Sequence, residues 1–121
     1  HLVGHPDPLR ESVRRLQAYA EAGADVLFAP GLKTREAIAE VVAAAAPKPV
    51  NVIMSADLGL RVADLEALGA RRISLGSALA RAAWGAFIRA AKGIAAEGSF
   101  AGLDGAASFA EMNDLFQGMR G

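Results

Sequence analysis

Asn51 sits inside the apolar run "PVNVIM", residues 49 to 54, where an amide is disfavoured by strand propensity and must find hydrogen-bond partners once buried. Either the amide ties down a neighbouring strand or loop, or it faces a ligand as donor and acceptor. Residue type alone does not separate the two. Arg81 follows Ser77 by one helical turn in an alanine-rich stretch, and its planar fork suits a carboxylate or phosphate held through two parallel bonds. For a helix arginine taken by itself, a solvent-facing charge is the plainer reading. Gly76 and Ser77 stand where a β-branched run passes into that helix. They could offer backbone N–H groups and a hydroxyl to an anion at a helix N-terminus, but a tight turn with Ser77 as N-cap accounts for them and is favoured. Pro30 and Gly31 close another apolar run and are candidates by position alone.

Other chemistries find little support. His1 and His5 are the two imidazoles, without helical spacing and without the carboxylates a metal site needs. There is no cysteine, which excludes disulfides, thiolate metal sites and thiol nucleophiles. Asp57 and Asp64 flank a loop as cap residues and lack general acid-base spacing. Ser55 and Ser77 lack a nucleophile elbow or an evident base. Thirteen basic and 13 acidic side chains leave no net charge and no basic cluster, so nucleic acid is not expected as a partner. The apolar stretches are broken by charge and fall short of the roughly 20 residues a bilayer span requires, so no membrane is expected either, and a cytoplasmic setting is the default.

The elements that must position these residues follow from local signals. Asp7 and Pro8 start a helix, with Leu9, Val13, Leu16 and Ala20 on one face, Arg10, Arg14, Arg15 and Glu21 on the solvated side, and Gly23 as the stop. "ADVLFAPG" is a brief apolar run without alternation, as expected of a strand covered on both faces. Thr34 caps a helix carrying Ile38, Val41 and Val42. The second strand is "PVNVIM"; "RVADLEALG" is a short helix and "RRISLG" the third strand. Residues 78 to 97 have helical composition up to Gly98, with Trp84, Phe87 and Ile88 as a stripe suited to core or subunit interface. Ser108 and Glu111 have the spacing of a capping box.

Strands recur at the spacing of a compact βα unit of roughly 25 residues. Three parallel strands bury themselves poorly, and a (β/α)₈ barrel runs to about 250 residues. The expected fold is therefore α/β, the C-terminal half of a TIM barrel, with the 121 residues forming one partial domain. An open doubly wound sheet is the competitor, but its Gly-rich fingerprint is missing. In either architecture ligands bind at the C-terminal ends of the strands, which nominates Ala29-Pro30-Gly31, "NVIMSAD" and Gly76-Ser77. The opening "HLVGHPDP" has no initiator methionine, and a fragment is expected.

Through "AYAEAGADVLFAPGL", "KPVNVIM" and "LEALGARRISLGSALARAAWGA", the chain resembles the isocitrate lyase and phosphoenolpyruvate mutase superfamily, from about residue 2 to residue 116. Within it, the mutase-like and carboxyvinyl-carboxyphosphonate phosphorylmutase-like bacterial branch is the nearest likeness. The resemblance implies a Mg²⁺-dependent barrel that makes or breaks C–C or C–P bonds of small 2-oxo or dicarboxylic acids through enolate-like intermediates, with the metal as Lewis acid. It also implies substrate contacts at Asn51 and Arg81, and a homo-oligomer exchanging its last helices. The metal-organising aspartates and the catalytic loop would lie in a half not present, so this chain alone would be inactive. Ala29-Pro30-Gly31 stands where methylisocitrate lyases carry a glutamate, and Met112 where they carry a late arginine, which counts against tricarboxylate cleavage. Two other readings stay open: a half-barrel assembly module without catalysis, and an unrelated phosphate-binding barrel.

Overall fold

The computed structural model describes residues 4–119. Helix α1 (Pro8–Glu21) leads to strand β1 (Leu27–Phe28), helix α2 (Arg35–Ala45), strand β2 (Val50–Ile53), helix α3 (Val62–Ala67), strand β3 (Arg72–Ser74) and helix α4 (Ala78–Glu97). A 3₁₀ turn at Ala101–Leu103 and helix α5 (Phe109–Gly118) complete the described chain. The strands form one parallel sheet in the order β1-β2-β3, as the α/β reading requires. His1 lies outside the described residues.

Local chemistry sets the helix ends. The Asp7 carboxylate accepts the Arg10 N–H at 3.2 Å, and the Thr34 hydroxyl accepts the Ala37 N–H at 3.2 Å. Each satisfies a donor that has no partner within the helix. At α3 the Asp64 carboxylate instead reaches back to the Arg61 N–H at 2.8 Å, which holds its pKa below the ordinary value. Gly69, after α3, takes φ +90°, and a Cβ there would stand 3.0 Å from Val42 Cγ1, so both conformation and space call for glycine.

The chain divides into two compact units between Leu79 and Ala80. In the first, α1 packs on α2 and β1, and α2 on β2. Leu16 of α1, Ile38 and Val41 of α2 and Leu65 of α3 close over Leu27, Val50 and Val52 of the sheet, all buried. Side chains alternate across a strand, so the residues between these face the other way. That face is sparsely covered: Phe28 is 44% exposed, and Val26 and Arg72 are exposed as well. The expectation that the first strand is covered on both faces is thus corrected. Only β2, paired on both sides, is buried along most of its length. In the second unit, Ala90 of α4 packs closely on Gly102, where a Cβ would approach Ala90 Cα to 2.8 Å.

On α1 the Glu11 carboxylate accepts from Arg14 Nε at 2.7 Å and Arg15 Nε at 2.7 Å. Those hydrogen bonds, Arg14's first, lower its pKa from 4.5 to about 2. A carboxylate with a depressed folded pKa adds stability above its ordinary value, and that stability is lost as pH falls through the folded one. Acidification from pH 5 to pH 2 is therefore expected to lower the urea midpoint of the wild type more than that of Glu11→Gln. Equal losses in the two proteins would show that the pair contributes nothing. The difference should shrink in high salt, because the pair is at the surface.

Candidate functional site

The C-terminal ends of the three strands open into the segments nominated by position. After β1, Gly31 turns the chain with φ +86°. It borders a hollow of about 260 Å³ together with Ile53, Ser55 and Leu58 from the end of β2 and its loop. On its other side, Pro30 and Gly31 line a second hollow of about 290 Å³ with Pro8, Ser12 and Thr34. After β3, Gly76 takes φ +55° and backs onto Ile53, whose Cδ1 lies 3.1 Å from where a Cβ would be. Ile53 thus lines the hollow that Gly31 borders and also packs on the turn at Gly76.

One residue pair deeper on β2 is Asn51, in register with Phe28 on one side and Arg72 on the other. Although those neighbours are exposed, Asn51 is buried, at 4%. Its Nδ2 donates to Ser74 Oγ at 3.0 Å. Its Oδ1 is shut off from solvent without a hydrogen-bond partner among the described residues. Leaving a buried acceptor unmet costs about 1–3 kcal/mol, so the cross-strand tie satisfies only half of the amide. Ser74 escaped sequence reasoning. The signal for it was parity: it shares a strand face with Arg72, and in the parallel register it lies beside Ile53.

Gly76 and Ser77 do form the favoured turn, with the Ala78 N–H donating to Leu75 O at 3.1 Å. Ser77, however, makes no side-chain hydrogen bond among the described residues, so its reading as a hydroxyl cap is corrected. The backbone turn already closes the helix start. Arg81, in the second unit, stands exposed on the opening turns of α4 and forms no ion pair or side-chain hydrogen bond among the described residues. Trp84 and Phe87 pack edge to face at 5.4 Å, yet each is 62% exposed. With Ile88 they form a stripe that nothing among the described residues of the second unit covers.

The carboxylates near the strand ends are engaged in local structure. Asp57 Oδ1 accepts the Gly59 N–H at 2.7 Å, and Asp64 is shared between its helix start and Arg35 at 3.4 Å. His5 Nδ1 accepts the Asp7 N–H at 3.1 Å. No group of three or more His, Cys, Asp or Glu side chains that could hold a metal ion occurs among the described residues. The residues present do not fit a Mg²⁺ site of their own. No helix among the described residues is long and apolar enough to cross a membrane.

The sequence model of the phosphoenolpyruvate phosphomutase family matches residues 1–95. The chain belongs to that family. No curated protein matches it, but solved structures do. A putative lyase/mutase from Burkholderia cenocepacia J2315 is 44% identical with a TM-score of 0.84, over 96% of this chain and 42% of the other. 2,3-Dimethylmalate lyase, a PEP mutase/isocitrate lyase superfamily member, is 27% identical at a TM-score of 0.65, over 92% and 41%. Oxaloacetate acetylhydrolase in complex with the product oxalate is 25% identical at 0.63, over 93% and 43%. This phosphomutase-family chain therefore spans about two fifths of the length of the structures it matches. Its three parallel strands and helices correspond to part of a barrel-type lyase fold.

Proposed function

We propose that these residues are part of a Mg²⁺-dependent lyase or mutase that cleaves or rearranges a C–C or C–P bond of a small 2-oxo or dicarboxylic acid. The observation that carries this reading is Asn51, an amide buried on the sheet face opposite the helices, with one polar atom unmet. Homology to the dimethylmalate lyase and oxaloacetate acetylhydrolase structures supports the substrate class. Asn51 supplies an oriented amide, Arg81 a guanidinium for a carboxylate, and Pro30, Gly31, Gly76 and Ser77 the rim at the strand ends. The helices packed behind Leu27, Val50 and Val52 hold the strand that carries Asn51 rigid, and a fixed hydrogen-bonding group is worth more to catalysis than a mobile one. Mg²⁺ dependence enters on family membership. Its ligands belong to residues outside this chain, so the chain alone is inactive. A cytoplasmic setting and a homo-oligomer joined through the C-terminal helices, with the exposed Trp84, Phe87 and Ile88 as contact, are parts of the same proposal.

The test is turnover by the full-length protein. Incubated with Mg²⁺ and a panel of 2-oxo acids, dicarboxylic acids and their phosphonate counterparts, it is expected to convert at least one member, and chelation should stop the conversion. A panel without turnover, or turnover indifferent to chelation, would remove the reading. A second reading, a half-barrel whose role is assembly, is favoured by the exposed Val26 and Phe28 beside the edge of β1 that has no strand partner among the described residues. It predicts stable association with another chain by light scattering and no turnover.

A further inference from the structure

The hollow beyond β1 and β2 is built differently from the polar pair deeper on the sheet. Leu32, Ile53, Ala56 and Leu58 form most of its wall, while Lys33 and Ser55 are its polar side chains. Its volume of about 260 Å³ falls just under the roughly 300–1,000 Å³ of a pocket that encloses a small ligand, which is room for part of a molecule. Alternation along β2 puts Ile53 on the same sheet face as Asn51, two residues nearer the strand's C-terminal end. The hollow therefore continues outward from the candidate site. A water held against these walls finds few of the polar partners it needs, so an apolar group that replaces it gains from burial.

We infer that this hollow takes an alkyl branch of the substrate, with Lys33 at the rim attracting the charge of the acid that carries it. Resting on the function proposed above, this narrows the substrate class from a small dicarboxylic acid to one bearing an alkyl substituent. The charge pattern favours such a ligand. Lys33 borders both hollows beside Gly31, and neither is lined by an acidic side chain. Lys33 also makes no ion pair among the described residues. A cation beside an apolar wall matches an anionic head with an apolar branch. A second carboxylate placed inside would lose water against Leu32, Ile53 and Leu58 without a partner there to replace it.

Succinate and its racemic methyl, ethyl and propyl derivatives form a series that measures the hollow. Titrated calorimetrically into the full-length protein with Mg²⁺, each added carbon is expected to tighten binding about fourfold. Ala56 is exposed, so Ala56→Trp fills the hollow without entering the core, and it should make the propyl derivative bind no better than succinate. Leu58→Ala, which removes part of the wall, should reduce each step to less than about twofold. Lys33→Met should weaken all four acids alike and leave the steps intact. Melting temperatures of the variants check that each is folded. Equal binding of the four acids by the wild type overturns the inference, as it must if an apolar side chain from another segment of the full-length protein fills the hollow. A gradient that survives in folded Ala56→Trp also overturns it, since the alkyl chain then binds elsewhere. Both outcomes leave the proposed function to its own test of turnover.

Discussion

Arg81→Ala in the full-length protein is expected to lower kcat/KM for its carboxylate substrate by about one to two decades. A hydrogen bond to a charged group is worth about 1.5–3 kcal/mol, and each 1.36 kcal/mol corresponds to a factor of about ten. Arg81→Lys should recover only part of the loss, because an ammonium keeps the charge without the two-pronged geometry. Arg89, further along α4 with its Nη1 close over Gly85, supplies the control: Arg89→Ala should leave the kinetics unchanged. Steady-state kinetics on the three variants decide the matter, and an Arg81→Ala enzyme indistinguishable from wild type would remove this arginine from the site. Arg81 is exposed and unpaired among the described residues, which leaves its guanidinium free to meet a ligand.

The second large effect is on stability. Ile38 is 0% exposed at the centre of the cluster formed by α1, α2, α3 and the sheet. Ile38→Ala removes buried methyl groups and leaves a cavity that close packing cannot fill, costing about 2–5 kcal/mol. Since whole domains are held by only about 5–15 kcal/mol, urea denaturation should show a large fall in midpoint. Val62→Ala, at an exposed position on α3, should change stability by less than about 0.5 kcal/mol. Similar shifts for the two variants would place the core elsewhere.

What could be read before folding was what short-range chemistry settles. Asp7, Thr34 and Ser108 bond within three residues of themselves, so helix starts were visible from neighbouring letters. The limits of α4 were equally plain from Ala78 to Gly98, where a change of composition coincides with a glycine at φ +63°. Strands were drawn too long because pairing ends where partners end. β1 keeps only Leu27 and Phe28 of its apolar run, since β2 is its one neighbour among the described residues. The Trp84 stripe could not be assigned from sequence because helical periodicity says which residues share a face and not what covers it. At the site, Asn51 stood out as an amide among β-branched residues. Ser74 did not, because its significance lies in a register 23 positions away in sequence.

The one-sided packing of the sheet also bears on how such a protein can change. Leu27, Val50, Val52 and Ile73 answer to the helices behind them, and almost any polar replacement there would be paid for in stability. Phe28, Asn51, Ile53, Arg72 and Ser74 occupy the alternate positions of the same strands, where a new side chain leaves that packing untouched. A single turn of the pleat therefore separates letters that preserve the fold from letters free to alter its chemistry. A lineage can rewrite what it binds on one face while the other face stays the same.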